Sequence, residues 1–225
     1  MLRTIFGQPA ETYLDEHFPD LNIVRSEQFL QINPKVQLED YNIQGLSESD
    51  KLLLTKQLLE REGQDRVLIF CHEFEQADVL AKYLSQEGVP SESFHSKLSP
   101  NERADKLYSF DKGASVCLVC TDLAARGIDF KQVKLVLQFD YADNGINLLH
   151  RIGRTGRMGS GGKGRLGILS VVISLVDDAH ADLYTEFNDA IKQNIPLDSI
   201  FSRNRSFNKK LKKRAETTVN ELENK

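Results

Sequence analysis

Apolar residues run along this chain in two rhythms. Short unbroken runs, VLIFC (67–71), SFH (93–95), VCLVC (116–120), VKLVLQF (133–139) and LGILSVVISLV (166–176), read as strands. Their continuous apolar character fits a sheet buried on both faces. Between them the spacing becomes helical. EFEQADVLAKYLSQEG puts Ala77, Leu80, Ala81 and Leu84 on one face and stops at Gly88. SPNERADKLYSFDKG opens with Ser99 as N-cap and Pro100 as first helical residue, and closes at Gly113. Upstream, ESDKLLLTKQLLEREG (48–63) is an amphipathic helix leading into the first strand, and DAHADLYTEFNDAIKQN (178–194) is a final helix. Strand and helix alternating in this way predict an α/β fold with a doubly wound parallel sheet, whose ligands bind at the carboxyl ends of the strands.

The ends of the chain fit this pattern less well. Residues 1–40, with the helix-like ETYLDEHF, then LNIVRS and a polar stretch to INPKVQLED, read as the end of a different unit plus a linker. The core unit is then 41–200. Residues 201–225 form a tail in which SRNRSFNKKLKKR carries Arg203, Arg205, Lys209 and Lys210 among seven cations, a stripe suited to phosphates. The overall formal charge of -4 hides this asymmetry.

Composition narrows the class. With 225 residues, 40% hydrophobic and 28% charged, the chain has room for one good-sized α/β domain. It has no apolar run of about 18 residues, so no membrane span is expected, and its first residues lack the pattern of a secretory signal. Cys71, Cys117 and Cys120 lie in apolar segments and read as buried thiols of a reducing compartment. Cys117 and Cys120 spell C-x-x-C, but positions i and i+3 of a strand face opposite sides, so no metal site is expected.

The candidate chemistry sits in HRIGRTGRMG (150–159), which places Arg151, Arg154 and Arg157 three apart with no acid in the segment to answer them. Three such charges repel unless an anion is bound, and the planar guanidinium fork suits a phosphate. Gly153 and Gly156 would weaken a purely solvated helix, so they point to close approach by a ligand or another backbone. The chain carries no phosphate loop of its own. GSGGKG (159–164) matches G-x-G-x-x-G formally, yet it runs into a strand where the fingerprint should open a helix. The anion is therefore expected on another module. This is the logic of an arginine finger, a contribution of roughly 10³–10⁵ in rate, with Arg154 and Arg157 as candidates and His150 as a polar link between modules.

With HRIGRTGR following TDLAARGID (121–129), VLIFCHEFEQADVLAKYL and the stretch FHSKLSPNERADKLYSFDKGASVCLVCTDLAARGIDF, the chain resembles the C-terminal half of a DEAD-box RNA helicase from about residue 40 to 195. The resemblance implies a RecA-like, P-loop NTPase-like helicase C-terminal domain. It also implies roles for residues: Arg154 and Arg157 at the γ-phosphate, Asp129 at the ribose, and Gly127 allowing the backbone to approach the cleft. His150 and Arg151 would meet the acidic motif of the partner domain, and Ser96, Arg103 and Thr121 the RNA backbone. The implied cofactor is ATP with Mg²⁺, held mainly by a first domain of which only residues about 11–30 have a counterpart here. The implied partners are RNA and that N-terminal RecA-like domain, with a monomer and no membrane expected. The chain alone is then not expected to hydrolyse ATP.

Three positions depart from the family's wording. Glu73 stands where Thr or Ser is usual, Pro100 where Gln is common and Leu148 where Tyr is expected, which puts the RNA contact near residue 73 in doubt. The basic tail resembles that of fungal mitochondrial members acting in ribosome assembly. That suggests the mitochondrial matrix, with nucleolus and cytoplasm as alternatives. The competing functional reading is a non-catalytic RNA- or helicase-binding module from a truncated gene.

Overall fold

The computed structural model describes residues 32, 36–63, 66–122, 126–128, 130, 133–155 and 170–193. Six parallel strands form one sheet in the order β1-β6-β5-β2-β4-β3: β1 Val36–Asn42, β2 Val67–Cys71, β3 Ser91–Phe94, β4 Cys117–Thr121, β5 Leu135–Gln138 and β6 Ser170–Val176. The helices are α1 Glu48–Glu62, α2 Phe74–Gln86, α3 Pro100–Lys112, α4 Gly145–Ile152 and α5 Ala181–Lys192. Contacts divide the chain into a larger unit, 32–142 with 147–182, that holds the sheet, and a smaller one. Among the described residues the smaller unit comprises 143–146 and 183–193, the latter forming most of α5.

The strands alternate between two buried faces. Val67, Ile69 and Cys71 of β2, Val119 of β4, Leu135 and Leu137 of β5 and Ile173 of β6 share a core with Leu58 and Leu59 of α1 and with Ala77, Leu80, Ala81 and Leu84 of α2. The intervening positions Leu68, Phe70, Leu118 and Val136 are equally buried on the opposite face. This is why the strands read as unbroken apolar runs. Every buried methylene is worth about 0.8 kcal/mol, so a sheet covered on both sides accounts for most of the driving force.

Local signals set the helix ends. Ser99 caps α3, its hydroxyl accepting from the Glu102 N–H while the Glu102 carboxylate accepts from the Ser99 N–H, and Pro100 occupies the first turn. Gly113 ends the helix at φ 78°, a left-handed conformation that costs a glycine nothing. Ser47 and Asp50 form the same reciprocal box at α1. The last helix begins later than its periodicity suggests: Asp177 accepts from the His180 N–H, and Asp178–His180 forms a tight 3-10 turn before α5.

One expectation requires correction. Residues 36–40, read from the sequence as linker, are part of β1 and pair in parallel with β6 from Val36↔Ser170 to Asn42↔Val176. As an edge strand β1 is nowhere fully buried, so its sequence VQLEDYN carries polar residues and lacks an apolar run. Segments 1–31 and 201–225, and GSGGKG, lie outside the described residues.

Candidate functional site

The site lies at the carboxyl ends of the strands, where α4 brings HRIGR back to the sheet. α4 ends at Ile152; the Arg154 N–H then bonds the Arg151 carbonyl at 3.0 Å and the Thr155 N–H the Ile152 carbonyl at 3.2 Å, a tightened last turn. The Thr155 hydroxyl donates to the Val133 carbonyl at 2.9 Å and pins this turn beside β5. At Gly153 an added Cβ would sit 3.0 Å from the Leu149 carbonyl oxygen. The close approach that this glycine permits is therefore to its own helix.

The guanidiniums of Arg151 and Arg154 do not behave alike. Arg151 points inward and has no solvent-exposed surface. Its Nε and Nη2 donate to the two carboxylate oxygens of Asp122, each at 2.7 Å, while Nη1 donates to Gln138 Oε1 at 3.2 Å and to the Asp140 carbonyl at 2.6 Å. The Phe70 ring lies 5.1 Å from the guanidinium carbon. Gln138, fully buried in β5, passes its amide to Ser174 Oγ at 3.0 Å. The Arg151 charge is thus answered by an acid from outside its own segment, which the sequence alone did not reveal. A bidentate pair whose cation makes two further hydrogen bonds is a form in which a buried ion pair is tolerated.

Arg154 is half-buried. Its Nη1 donates to the Ile128 carbonyl at 2.6 Å, next to Gly127, whose φ of 76° turns the chain after β4. Arg154 and His150 are thus brought to one cleft, lined by Phe70, Asp122, Arg126, Asn147, His150, Arg151 and Arg154. Arg126 donates to Asn147 Oδ1 at 3.1 Å, which ties the loop after β4 to α4. Among the described residues three guanidiniums and one carboxylate line this cleft, and that carboxylate is committed to Arg151. The surplus among the described lining residues is positive and suits an anion, and the Asp122 carboxylate is engaged by Arg151. Burial, and then Arg126 and Arg154, hold the His150 pKa below its ordinary value, with Asp122 opposing. Asp129 and Arg157 lie outside the described residues.

The other expected contacts follow the carboxyl ends of adjacent strands. Phe94 of β3 pairs with Cys120 of β4, so Thr121, buried at the end of β4, and Ser96, exposed two residues beyond β3, leave the sheet on the same side. Arg103 lies in the first turn of α3, half-buried. Behind Ser96, Asp78 of α2 accepts from Ser93 Oγ at 2.5 Å and meets His95 Nε2 at 3.1 Å. Burial raises the Asp78 pKa, but the hydrogen bonds from Ser93 and His95 outweigh it and hold the carboxyl below its usual range. Glu73 is the exposed residue preceding α2, without a side-chain bond to the helix; Pro100 starts α3; Leu148 is buried in α4. The basic tail residues Arg203, Arg205, Lys209 and Lys210 lie outside the described residues.

Sequence reasoning missed Asp122, Arg126, Asn147 and Gln138. Asp122 had a readable signal, an acid immediately after an apolar strand at its carboxyl end. The cysteines are buried as expected: burial pushes the Cys117 thiol up to about 12, and those of Cys71 and Cys120 well above their usual range. Among the described residues no helix is long and apolar enough to cross a membrane.

Comparison with known proteins identifies the arrangement. Residues 50–159 match the family described as helicase conserved C-terminal domain. The chain is 33% identical over 177 residues to DEAD-box ATP-dependent RNA helicase 22 of Arabidopsis thaliana, covering 79% of this chain and 29% of the relative. It is 39% identical over 107 residues to the mouse probable ATP-dependent RNA helicase DDX52, covering 48% and 18%. The chain therefore spans less than a third of the length of these relatives. Among solved structures, S. cerevisiae Dbp5 bound to RNA and ADP BeF3 superposes with a TM-score of 0.64 at 26% identity over 84% of this chain and 47% of that one. The E. coli DEAD-box protein SrmB, bound to regulator of ribonuclease activity A, gives 0.60 at 28% over 71% and 88%. Sheet and motif order agree with these matches: the chain belongs to the DEAD-box RNA helicases, as their C-terminal helicase domain.

Proposed function

We propose that this chain is the half of an ATP-dependent RNA helicase that presents Arg154 and Arg157 to the γ-phosphate of an ATP bound, with Mg²⁺, by an N-terminal RecA-like domain. The observation that carries the reading is the charge division within HRIGR. Arg151 is consumed by Asp122 inside the domain, while Arg154 stands in a cleft whose lining keeps a positive surplus. Preorganised guanidiniums at a developing phosphoryl charge are an efficient source of rate, because their orientation is set before the reaction begins. Gly127, beside the Ile128 carbonyl that holds Arg154, lets the backbone approach the nucleotide, and Asp129 two residues on is assigned to the ribose. Ser96, Arg103 and Thr121 grip the RNA backbone, with the 201–214 stripe adding sequence-independent phosphate contacts. Remodelling of RNA or ribonucleoprotein, as in ribosome assembly, is the process these parts serve.

The two-module reading is tested by RNA-stimulated ATP hydrolysis, measured with the chain alone and with a nucleotide-binding first domain supplied. Activity is expected only in the mixture, with Arg154→Ala and Arg157→Ala each lowering it by roughly 10³-fold. A mixture that binds RNA but stays inactive, or that ignores both substitutions, would instead favour the non-catalytic binding module.

A further inference from the structure

We propose that Lys51 is a positioning residue: through Asp140 it fixes Arg151 and, one turn on, the direction in which Arg154 enters the cleft. The inference rests on the role given to Arg154 above. Lys51 lies on α1, only 8% exposed, a rare place for an ammonium. Packing alone would be served by Leu or Met. Its Nζ meets Asp140 Oδ1 at 2.8 Å and lies 4.0 Å over the Phe139 ring. Asp140, just past β5, is tied in four directions. Its N–H donates to the Phe70 carbonyl at 3.1 Å, Oδ2 accepts from the His72 N–H at 2.9 Å, Oδ1 takes Lys51, and its carbonyl accepts from Arg151 Nη1 at 2.6 Å. Side chain and carbonyl of one residue thus hold α1 and α4 to the strand ends.

This division of labour matters because Arg151 touches two acidic residues, Asp122 through its carboxylate and Asp140 through its carbonyl. Its fork is bidentate on Asp122, and it takes only the carbonyl of Asp140. Lys51 occupies the Asp140 carboxylate and so keeps it from competing. Without Lys51, a carboxylate 13% exposed would have Arg151 as a neighbouring cation. Drawing the fork off Asp122 displaces the Arg151 carbonyl, which accepts the Arg154 N–H at 3.0 Å. The positioning is indirect: Lys51 does not line the cleft.

The test uses the full chain and two readouts. Side-chain Nε–H resonances of Arg151 and Arg154 are recorded well below the unfolding temperature for Lys51→Met and for Lys51→Gln, which keeps a donor. Both resonances are expected to move in Lys51→Met, less in Lys51→Gln, and to return in Lys51→Met/Asp140→Asn, where the competing charge is gone. With the first domain supplied, Lys51→Met is expected to lower kcat about tenfold with KM for ATP little changed, the signature of misaimed groups. Wild-type resonances in the folded Lys51 variants, or displaced resonances in the double variant, would overturn the proposal. If Arg154→Ala leaves hydrolysis untouched, the arginine-finger reading fails, while the resonances still decide whether Lys51 sets the geometry.

Discussion

The middle of the sheet and its carboxyl end are built on opposite terms. In the middle, Leu68, Ile69, Leu118, Val119, Val136 and Leu137 are fully buried and make no specific demand on one another beyond volume. At the end, within one or two residues, Arg151, Asp122, Gln138, Lys51 and Asp140 form a polar network in which each group is answered by a particular partner. A core loses stability in proportion to what is removed, whereas a buried ion pair loses most when only half is removed. The apolar part holds the fold together, and the polar part determines where a side chain points.

The largest expected effect follows from breaking the asymmetric part. Arg151→Met should cost about 4 kcal/mol in urea unfolding, because Asp122 and Gln138 lose their partner together. Adding Asp122→Leu should recover most of that loss; failure to recover would place Arg151's contribution in packing on Phe70. In the symmetric part no second substitution should help. Leu80→Ala, fully buried between α2 and the sheet, should cost roughly 3 kcal/mol and leave the cleft's anion affinity unchanged. The smallest effect sharpens the comparison by pH. Because the folded state holds the His150 pKa below its unfolded value, the unfolded chain binds more protons as pH falls. The stability this group contributes is complete above about 6.5 and is lost as pH drops toward its folded pKa. His150→Gln should flatten that part of the stability profile, measured as unfolding midpoints between pH 5.5 and 8.

The same contrast governs what the sequence reveals. VLIFC and the Ser99-to-Gly113 helix were legible because their rules are local: a buried strand must be apolar throughout, and a cap lies three residues from its partner. Gln138 ends such a run and shows its purpose only beside Arg151. The Asp122–Arg151 pair joins two motifs that are adjacent in space alone, so the arginines read as three equals when one of them is internal. β1 escaped notice for the reverse reason, since a strand with one open edge is not obliged to be apolar.

That edge strand also carries a message about time. β1 opens the described sheet and pairs with β6, the last of its strands in chain order, whereas β2, β3 and β4 find one another within a short stretch of chain. Closing so long a loop is entropically unfavourable until the strands between are already in place. On a chain emerging from the ribosome, the β1 amides wait for residue 176, and pulse-labelled hydrogen exchange should find them protected after those of β2 and β4.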